Sequence, residues 1–210
     1  MKYDAIVLAG GKGTRLNLGY NKVFYKMENG KTVFENACTA FLEDEECQKI
    51  VVVIAKEEIK DVFKHDKLIF VDNGKERFNS VYNGLKACTS DYVMIHDGAR
   101  PYITKEDIVN LKNCLEHEDA CMLALKAKDT IKEVVDGYIV KTLNRDQIYM
   151  AQTPQCFKLD IIKDAYCRGE KDGGVFTDDA SVLEKYYDTR IKMVDSTTNN
   201  NKITFISDIY

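Results

Sequence analysis

The sequence predicts an α/β protein in which a mainly parallel sheet carries helices on both faces. Short, largely continuous apolar segments alternate with amphipathic stretches along the whole chain. Continuous apolar segments are typical of strands buried on both faces, and strands that alternate with helices are typical of a parallel sheet. No repeat, low-complexity tract or linker divides the 210 residues, so we expect one domain over 1–210.

Eight segments carry clear secondary-structure signals. Apolar segments predict strands at residues 3–9, 49–55, 67–72, 91–97 and 120–127. Periodic apolar residues behind polar or acidic starts predict helices at residues 32–43, 79–88 and 104–117. The two prolines, Pro101 and Pro154, fall in predicted loops.

Residues 129–143 depart from this alternation. They hold two β-rich stretches on either side of Asp136 and Gly137, a pair that favours a hairpin turn. The segment is either an arm that projects from the sheet or an ordinary edge hairpin, and the pattern alone fits both.

Composition argues against several classes of protein. The chain is 45% hydrophobic, and its formal net charge of -4 gives it no electrostatic attraction for nucleic acid or an acidic membrane. No apolar segment approaches the roughly 20 residues that span a bilayer, and the N-terminus lacks the pattern of a signal peptide. We therefore expect a cytoplasmic protein that binds neither nucleic acid nor membranes.

Seven cysteines raise the question of a thiol site. They form no C-x-x-C pair, and the three histidines are not spaced to complete a zinc site with them. One interpretation is a thiol nucleophile or a metal site. The other, which the spacing favours, is a set of free thiols that pack as small apolar groups in a reducing compartment.

Glycine and charged residues recur where the predicted strands end. These sequences are "LAGGKGTR" (8–15), "DNGKERFNS" (72–80) and "HDGARP" (96–101). The carboxyl ends of parallel strands meet at one edge, where open α/β sheets bind their ligands. Only six of the 30 basic residues are arginines, whose planar fork suits phosphate and carboxylate oxygens. Arg15, Arg77 and Arg100 lie at these strand ends, and Arg145 follows the hairpin.

The glycine loop after the first strand lacks the spacing of a P-loop or of a dinucleotide-binding fingerprint. Its successive backbone N–H groups can form a nest around phosphate oxygens, with Arg15 and Lys22 able to reach the same charge. The alternative is a tight turn with solvated cations.

The other two loops also allow two interpretations each. Asp97 can help to hold Mg²⁺ beside nucleotide phosphates, or it caps the next turn. Residues 73–80 either surround a base through backbone groups and the Ser80 hydroxyl, or simply begin a helix. We expect His96, on an apolar strand, to be packed and hydrogen-bonded rather than to act as a base.

Taken in order, the motifs resemble those of a known family. "LAGGKGTRL", "NKVF", "DNGKERFNSV", "HDGARP", "AQTPQ", "TDDASVLE" and "NKIT" are similar to the motifs of cytidylyltransferases that act on sugar-alcohol phosphates. They most resemble the 2-C-methyl-D-erythritol 4-phosphate cytidylyltransferases. The resemblance implies one Rossmann-like nucleotidyltransferase domain with a β-arm inserted at about 128–148. It also implies transfer of CMP from CTP to methylerythritol phosphate in isoprenoid synthesis, a need for Mg²⁺, and a homodimer in which each arm reaches into the partner's site.

The resemblance also assigns roles to single residues. The CTP phosphates would meet Ala9, Gly10, Gly11, Gly13, Arg15 and Lys22. The cytosine pocket would comprise Gly74, Arg77 and Ser80, and Asp97 would bind the metal. The acceptor would meet Arg100, Thr130, Arg145, Thr153, Thr177 and Lys202, of which Thr130 and Arg145 belong to the partner's arm. The catalytic residues would be Arg15, Lys22, Arg145 and Lys202.

Departures from the family pattern leave alternatives open. The A-G-G loop and "QIYMAQTPQ" resemble ribitol 5-phosphate cytidylyltransferases of cell-wall or capsule synthesis, whereas "HDGARP" and "TDDAS" resemble the methylerythritol enzymes. Lys75 stands where relatives often have Asp. A hexose 1-phosphate nucleotidylyltransferase is a further alternative, against which the arm and "TDDAS" argue. A non-catalytic nucleotide-binding relative is another, against which Arg15, Lys22 and Lys202 argue.

Overall fold

The computed structural model describes residues 1–11, 19–196, 200–205 and 208. Its strands are β1 (Tyr3–Leu8), β2 (Cys47–Ile54), β3 (Leu68–Asp72), β4 (Tyr92–Asp97), β5 (Ala120–Lys126), β6 (Lys132–Val135), β7 (Tyr138–Thr142), β8 (Tyr149–Lys158) and β9 (Lys192–Asp195). Its α-helices are α1 (Val33–Leu42), α2 (Arg77–Ala87), α3 (Lys105–Leu115), α4 (Leu159–Asp172) and α5 (Asp179–Tyr186), and short 3₁₀ turns cover Lys22–Phe24, Lys56–Asp61 and Arg145–Gln147.

Seven strands form one sheet in the order β3-β2-β1-β4-β8-β5-β9. β1 pairs in parallel with β2 and β4, β2 with β3, and β5 with β9. β8 runs antiparallel between β4 and β5. The prediction of a mainly parallel sheet is confirmed. Because the chain runs from β1 to β2 and β3 on one side and then to β4 on the other, the strand order reverses beside β1, and such a switch point opens a crevice at the strands' carboxyl ends.

The central strand β1 contributes side chains to two apolar cores, one on each face of the sheet. Ala5 and Val7 of β1 join the cluster that contains side chains of α1 and α3. Ile6 joins the cluster formed with α2, α4 and α5. Successive side chains of a strand point to opposite faces, so a continuous apolar strand is what a sheet covered on both sides needs. The predicted helices on both faces are confirmed.

Strands β6 and β7 form a separate two-stranded sheet. Their turn places Asp136 at φ 51° and Gly137 at φ 83°, and positive φ at both positions is what the favoured two-residue hairpin turn requires. Every residue of the two strands is exposed. The hairpin therefore projects from the main sheet, as the arm interpretation predicts, and the edge-hairpin alternative is wrong.

Pro154 lies inside strand β8, so its prediction as a loop residue is wrong; Pro101 lies in a turn as predicted. The pairing of β8 with β5 is irregular here, stepping from Met122–Gln155 to Ala124–Ala151. Proline lacks the N–H that a regular ladder needs, and it is tolerated where the pairing is interrupted. The sequence patterns also left β8, β9, α4 and α5 unassigned. Within the described ranges, no helix combines the length and apolar character needed to cross a bilayer.

Candidate active site

A cleft of about 630 Å³ opens at the carboxyl ends of β1, β3 and β4. Eight of the predicted site residues line it: Gly10, Gly11, Lys22, Gly74, Arg77, Ser80, Asp97 and Lys202. The described lining carries the cations Lys22, Lys75, Arg77 and Lys202 but only the carboxylates Glu76 and Asp97. An acidic chain thus concentrates positive charge at one strand edge, which suits an anionic ligand.

Two glycines allow the loops at this edge to approach each other. A Cβ on Gly10 would lie 2.8 Å from Cβ of Asn73, and a Cβ on Gly74 would lie 2.3 Å from Cβ of Asn79. The Gly74 N–H donates a 3.0 Å hydrogen bond to Ser80 Oγ, which folds the turn after β3 back onto α2. Any side chain at Gly10 or Gly74 would therefore force Asn73 or Asn79 to move.

Asn21 fixes the 3₁₀ turn that presents Lys22. Its Nδ2 donates to the Ala9 carbonyl at 2.6 Å, and its Oδ1 accepts from the Val23 N–H at 3.3 Å. Ala9 itself is fully buried. The Lys22 ammonium donates to the Ile203 carbonyl at 2.6 Å. Sequence reasoning missed Asn21, although asparagine directly before a helical turn is a capping signal.

Asp97 is the carboxylate around which the cations gather. Lys202 Nζ lies 2.8 Å from its Oδ2, Arg77 Nε lies 3.6 Å from Oδ1, and Arg100 Nε lies 3.8 Å from Oδ2. Burial by itself would raise the pKa of Asp97, but the charges of Lys202, Arg77 and Arg100 outweigh it and hold this pKa well below its usual range. The carboxylate is therefore ionised at neutral pH.

A hydrogen-bonded chain supports Asp97 from inside the protein. The Thr153 hydroxyl accepts from the Asp97 N–H at 3.0 Å and donates to His96 Nδ1 at 3.0 Å, and His96 Nε2 donates to the Arg100 carbonyl at 3.1 Å. His96 is fully buried, and this burial lowers its pKa to about 4. The expectation of a packed, hydrogen-bonded His96 is confirmed. The structure places the Thr153 hydroxyl under the cleft, outside its lining.

Several predicted acceptor residues lie away from the cleft of this chain. Thr130 and Arg145 are exposed at the base of the hairpin, where Arg145 donates to the Lys128 carbonyl at 3.0 Å. Thr177 is exposed just before α5. The Arg100 guanidinium donates to the Asn200 carbonyl at 2.8 Å. Two predicted residues, Gly13 and Arg15, lie outside the described residues.

Arg77 makes its strongest contact with a residue that the sequence patterns did not assign. Its two terminal nitrogens donate to the two oxygens of Asp179 at 2.9 and 2.7 Å. Asp179 is fully buried in the first turn of α5 and also accepts from the Tyr166 hydroxyl at 2.5 Å. The "TDDAS" motif contains this residue, but no local pattern links it to a residue 102 positions earlier.

The chain matches known proteins over almost its whole length. The sequence model of the family described as IspD, 2-C-methyl-D-erythritol 4-phosphate cytidylyltransferase, matches residues 4–210. Proteins with that name from Lachnospira eligens and Geobacillus thermodenitrificans are 41% and 36% identical, over 98% and 100% of this chain and 95% and 94% of their own lengths.

A solved structure supports the same relationship. The crystal structure of 2-C-methyl-D-erythritol 4-phosphate cytidylyltransferase from Francisella tularensis matches with a TM-score of 0.86 at 33% identity, covering 100% of this chain and 97% of that one. The ribitol 5-phosphate, hexose 1-phosphate and non-catalytic alternatives are not favoured by these matches. The chain therefore belongs to the 2-C-methyl-D-erythritol 4-phosphate cytidylyltransferase family and is a CTP-dependent nucleotidyltransferase.

Proposed function

We propose that this enzyme transfers the CMP group of CTP to 2-C-methyl-D-erythritol 4-phosphate, a step of isoprenoid precursor synthesis. The observation that carries the proposal is a cleft of about 630 Å³ that is lined by Lys22, Arg77 and Lys202, the last two of which lie beside Asp97. This volume lies within the usual range for small-molecule sites, roughly 300–1,000 Å³. We infer the identity of the acceptor from the names of the relatives. The cations of the cleft favour binding of two anionic substrates.

The chemistry is a displacement at phosphorus. A phosphate oxygen of the acceptor attacks the α-phosphorus of CTP, the bond from that phosphorus to the oxygen bridging to the β-phosphorus breaks, and pyrophosphate leaves. A phosphate monoester is already anionic at neutral pH, so the reaction needs no general base. Buried, neutral His96 is consistent with this. Catalysis then comes from alignment of the two substrates and from cations that meet the charge developing in the transition state.

The described residues suggest a division of labour. We assign the triphosphate to the loop of Gly10 and Gly11 with Lys22, and extend this assignment to Gly13 and Arg15 from the family motif. Lys22 and Lys202 flank the reacting groups. The turn stabilised by Gly74 and Ser80 is the proposed cytosine pocket. The exocyclic amine of cytosine can donate to backbone carbonyls there, whereas uracil has an acceptor oxygen at the same position.

Mg²⁺ fits the donor set as a metal shared with the nucleotide. Among the described residues, no group of three or more His, Cys, Asp or Glu side chains could hold a metal ion. Mg²⁺ is commonly held by one or two carboxylates together with substrate phosphates, and the ionised Asp97 carboxylate at the cleft meets that description. Bound there, Mg²⁺ would neutralise phosphate charge. Asp97 would orient the ion, and Lys202 would stay beside it.

A homodimer built on the hairpin arm completes the proposal. Tyr138, Ile139 and Val140 are 80%, 66% and 62% exposed, and an exposed apolar surface of this kind is typical of an interface. An isolated two-stranded hairpin is marginally stable without packing, which a partner subunit would provide. The exposed Arg145 and Thr130 would then bind the acceptor phosphate in the partner's site.

We also propose that the chain acts in the cytoplasm as one nucleotidyltransferase domain with the arm as its insertion. All seven cysteines are free, and five of them are buried. Free thiols in this number suit a reducing compartment.

A pyrophosphate-release assay tests the proposed function. We expect release with CTP and 2-C-methyl-D-erythritol 4-phosphate, little release with UTP, and loss of activity with EDTA that added Mg²⁺ restores. Equal turnover of CTP and UTP would contradict a dedicated cytosine pocket, and full activity in EDTA would contradict the metal.

A further inference from the structure

We infer that Asp179 is a positioning residue for the transfer: it holds the Arg77 guanidinium so that Asp97 keeps its hydrogen bond with Lys202. The catalytic part of this inference rests on the proposed function, whereas its geometric part does not. Asp179 itself does not line the cleft.

Arg77 and Asp179 form a bidentate ion pair. Each terminal nitrogen of the guanidinium donates to its own carboxylate oxygen, at 2.9 and 2.7 Å. Such paired bonds are stronger and more directional than a single ion pair. Asp179 is fully buried, whereas 34% of the Arg77 side chain is exposed towards solvent. The carboxylate is therefore the fixed partner, and the arginine is the group that it orients.

The surroundings of Asp179 hold it in place. The Tyr166 hydroxyl donates to it at 2.5 Å, and the next residue, Ala180, donates its N–H to Gln155 Oε1 at 2.8 Å. Tyr166 stacks on Phe78, the neighbour of Arg77, with ring centroids 4.7 Å apart. Arg77 thus joins the start of α2 directly to the start of α5, and Tyr166 of α4 contacts both, stacking on Phe78 and donating to Asp179.

The contact between Arg77 and Asp179 determines whether Asp97 pairs mainly with Arg77 or with Lys202. With both terminal nitrogens of Arg77 committed to Asp179, its Nε remains 3.6 Å from Asp97 Oδ1, beyond a good hydrogen bond. Lys202 instead makes the short contact to Asp97, at 2.8 Å. If Asp179 lost its charge, the carboxylate nearest to Arg77 would be Asp97. A partly buried arginine without its partner is costly, so Arg77 would pair fully with Asp97 and compete with Lys202.

The test compares Asp179→Asn with the double variant Arg77→Gln/Asp179→Asn and with Tyr166→Phe. Asp179→Asn leaves an uncompensated arginine beside Asp97, and we expect kcat to fall about 100-fold, the scale of an ångström-sized misplacement. The acceptor KM should rise, while CTP affinity measured without acceptor changes less. In the double variant the competing charge of Arg77 is absent. Its kcat should therefore be roughly tenfold higher than that of Asp179→Asn, as expected when the two substituted residues are in direct contact. Tyr166→Phe removes one hydrogen bond to Asp179 but leaves both bonds from Arg77, so kcat should stay close to that of the wild type even if Tm falls.

Three kinetic outcomes would overturn the inference. They are a kcat of Asp179→Asn close to that of the wild type, a double variant no better than Asp179→Asn, and an equal loss of kcat in Tyr166→Phe at equal Tm. A crystal structure of Asp179→Asn tests the geometry without any assay: Arg77 should bond both oxygens of Asp97 and displace Lys202. If Arg77 stays where it is, the inference is wrong. Failure of the proposed function would show separately, as a wild-type enzyme that does not turn over methylerythritol phosphate.

Discussion

Lys202 and Asp97 are 105 residues apart in the chain, yet both line the cleft and the Lys202 ammonium lies 2.8 Å from Asp97 Oδ2. The pair joins the end of β4 to the segment after β9, and it places a cation beside the carboxylate proposed to orient the metal. An ion pair at this position can serve binding and catalysis together, because Asp97 fixes the lysine while the ammonium still has hydrogens to donate.

Replacing Lys202 with methionine keeps most of the length of the side chain and removes its charge. We expect kcat to fall roughly 100-fold, as for loss of one group that meets transition-state charge, and we expect the acceptor KM to rise. Steady-state kinetics with varied acceptor at saturating CTP measures both. Lys64→Met, at an exposed lysine that does not line the cleft, is the matched control and should behave as the wild type. An unchanged acceptor KM together with an unchanged kcat would remove Lys202 from the site.

Lys22→Ala should separate binding from chemistry. Its ammonium faces the cleft from the turn fixed by Asn21, and the charge that it meets grows as pyrophosphate leaves. We expect kcat to fall much more than CTP affinity, because only interactions that strengthen in the transition state raise kcat. Single-turnover kinetics and equilibrium CTP binding distinguish the two effects. If affinity for CTP collapses while kcat is kept, Lys22 binds substrate but does not take part in the chemistry.

Mixing two inactive variants tests whether the arm acts across a dimer. If the proposed dimer forms, Lys22→Ala and Arg145→Ala would each disable both composite sites of their own homodimer. After subunit exchange, about half of the dimers would be mixed and each would carry one intact site, so activity should recover to at most roughly a quarter of the wild-type value.

The control for this experiment is to confirm, with differently tagged chains, that the subunits have exchanged and mixed dimers have formed. Activity that stays at the level of the parent variants in confirmed mixed dimers would show that Arg145 does not serve the partner's site.

Because His96 is buried and neutral, we expect the protein to lose stability in acid. Its pKa is lowered from its ordinary value of 6.5 to about 4 because the ring is fully buried. Between these two values the unfolded chain binds a proton that the folded protein excludes, so the free energy of unfolding decreases as pH falls. The contribution of this one group from about pH 7.5 to about pH 5 is about 2 kcal/mol.

Urea unfolding of the wild type and of His96→Gln at both pH values isolates that contribution. The variant, which cannot titrate at this position, should lose less stability over the interval. Identical pH dependence in the two proteins would contradict a buried, neutral His96.

Features that depend on one short segment of the chain could be predicted from the sequence, whereas contacts between distant segments could not. The glycine loop, "DNGKERFNS" and "HDGARP" each follow a predicted strand, and a parallel sheet brings such ends together, so Gly74, Ser80 and Asp97 could be placed at one edge. The turn at Asp136 and Gly137 likewise carries its own hairpin signal.

Contacts between distant segments had no such signal. Asp179 meets Arg77 only because α4 packs against both α5 and α2, and no periodicity in either segment predicts that contact. Pro154 was misplaced because proline ordinarily interrupts a strand, whereas here the pairing irregularity of β8 accommodates it. The Thr153 hydroxyl bonds the Asp97 N–H and the His96 ring, and its predicted contact with the acceptor stays a prediction.

The most direct test of the central claim is product analysis after competition between acceptors. Equal concentrations of 2-C-methyl-D-erythritol 4-phosphate and ribitol 5-phosphate are incubated with CTP, Mg²⁺ and limiting enzyme, and the products are identified by ³¹P NMR and mass spectrometry. We expect pyrophosphate together with a cytidine diphosphate ester of methylerythritol as the predominant product. A cytidine diphosphate ester formed mainly from ribitol phosphate, or no diphosphate ester at all, would contradict it.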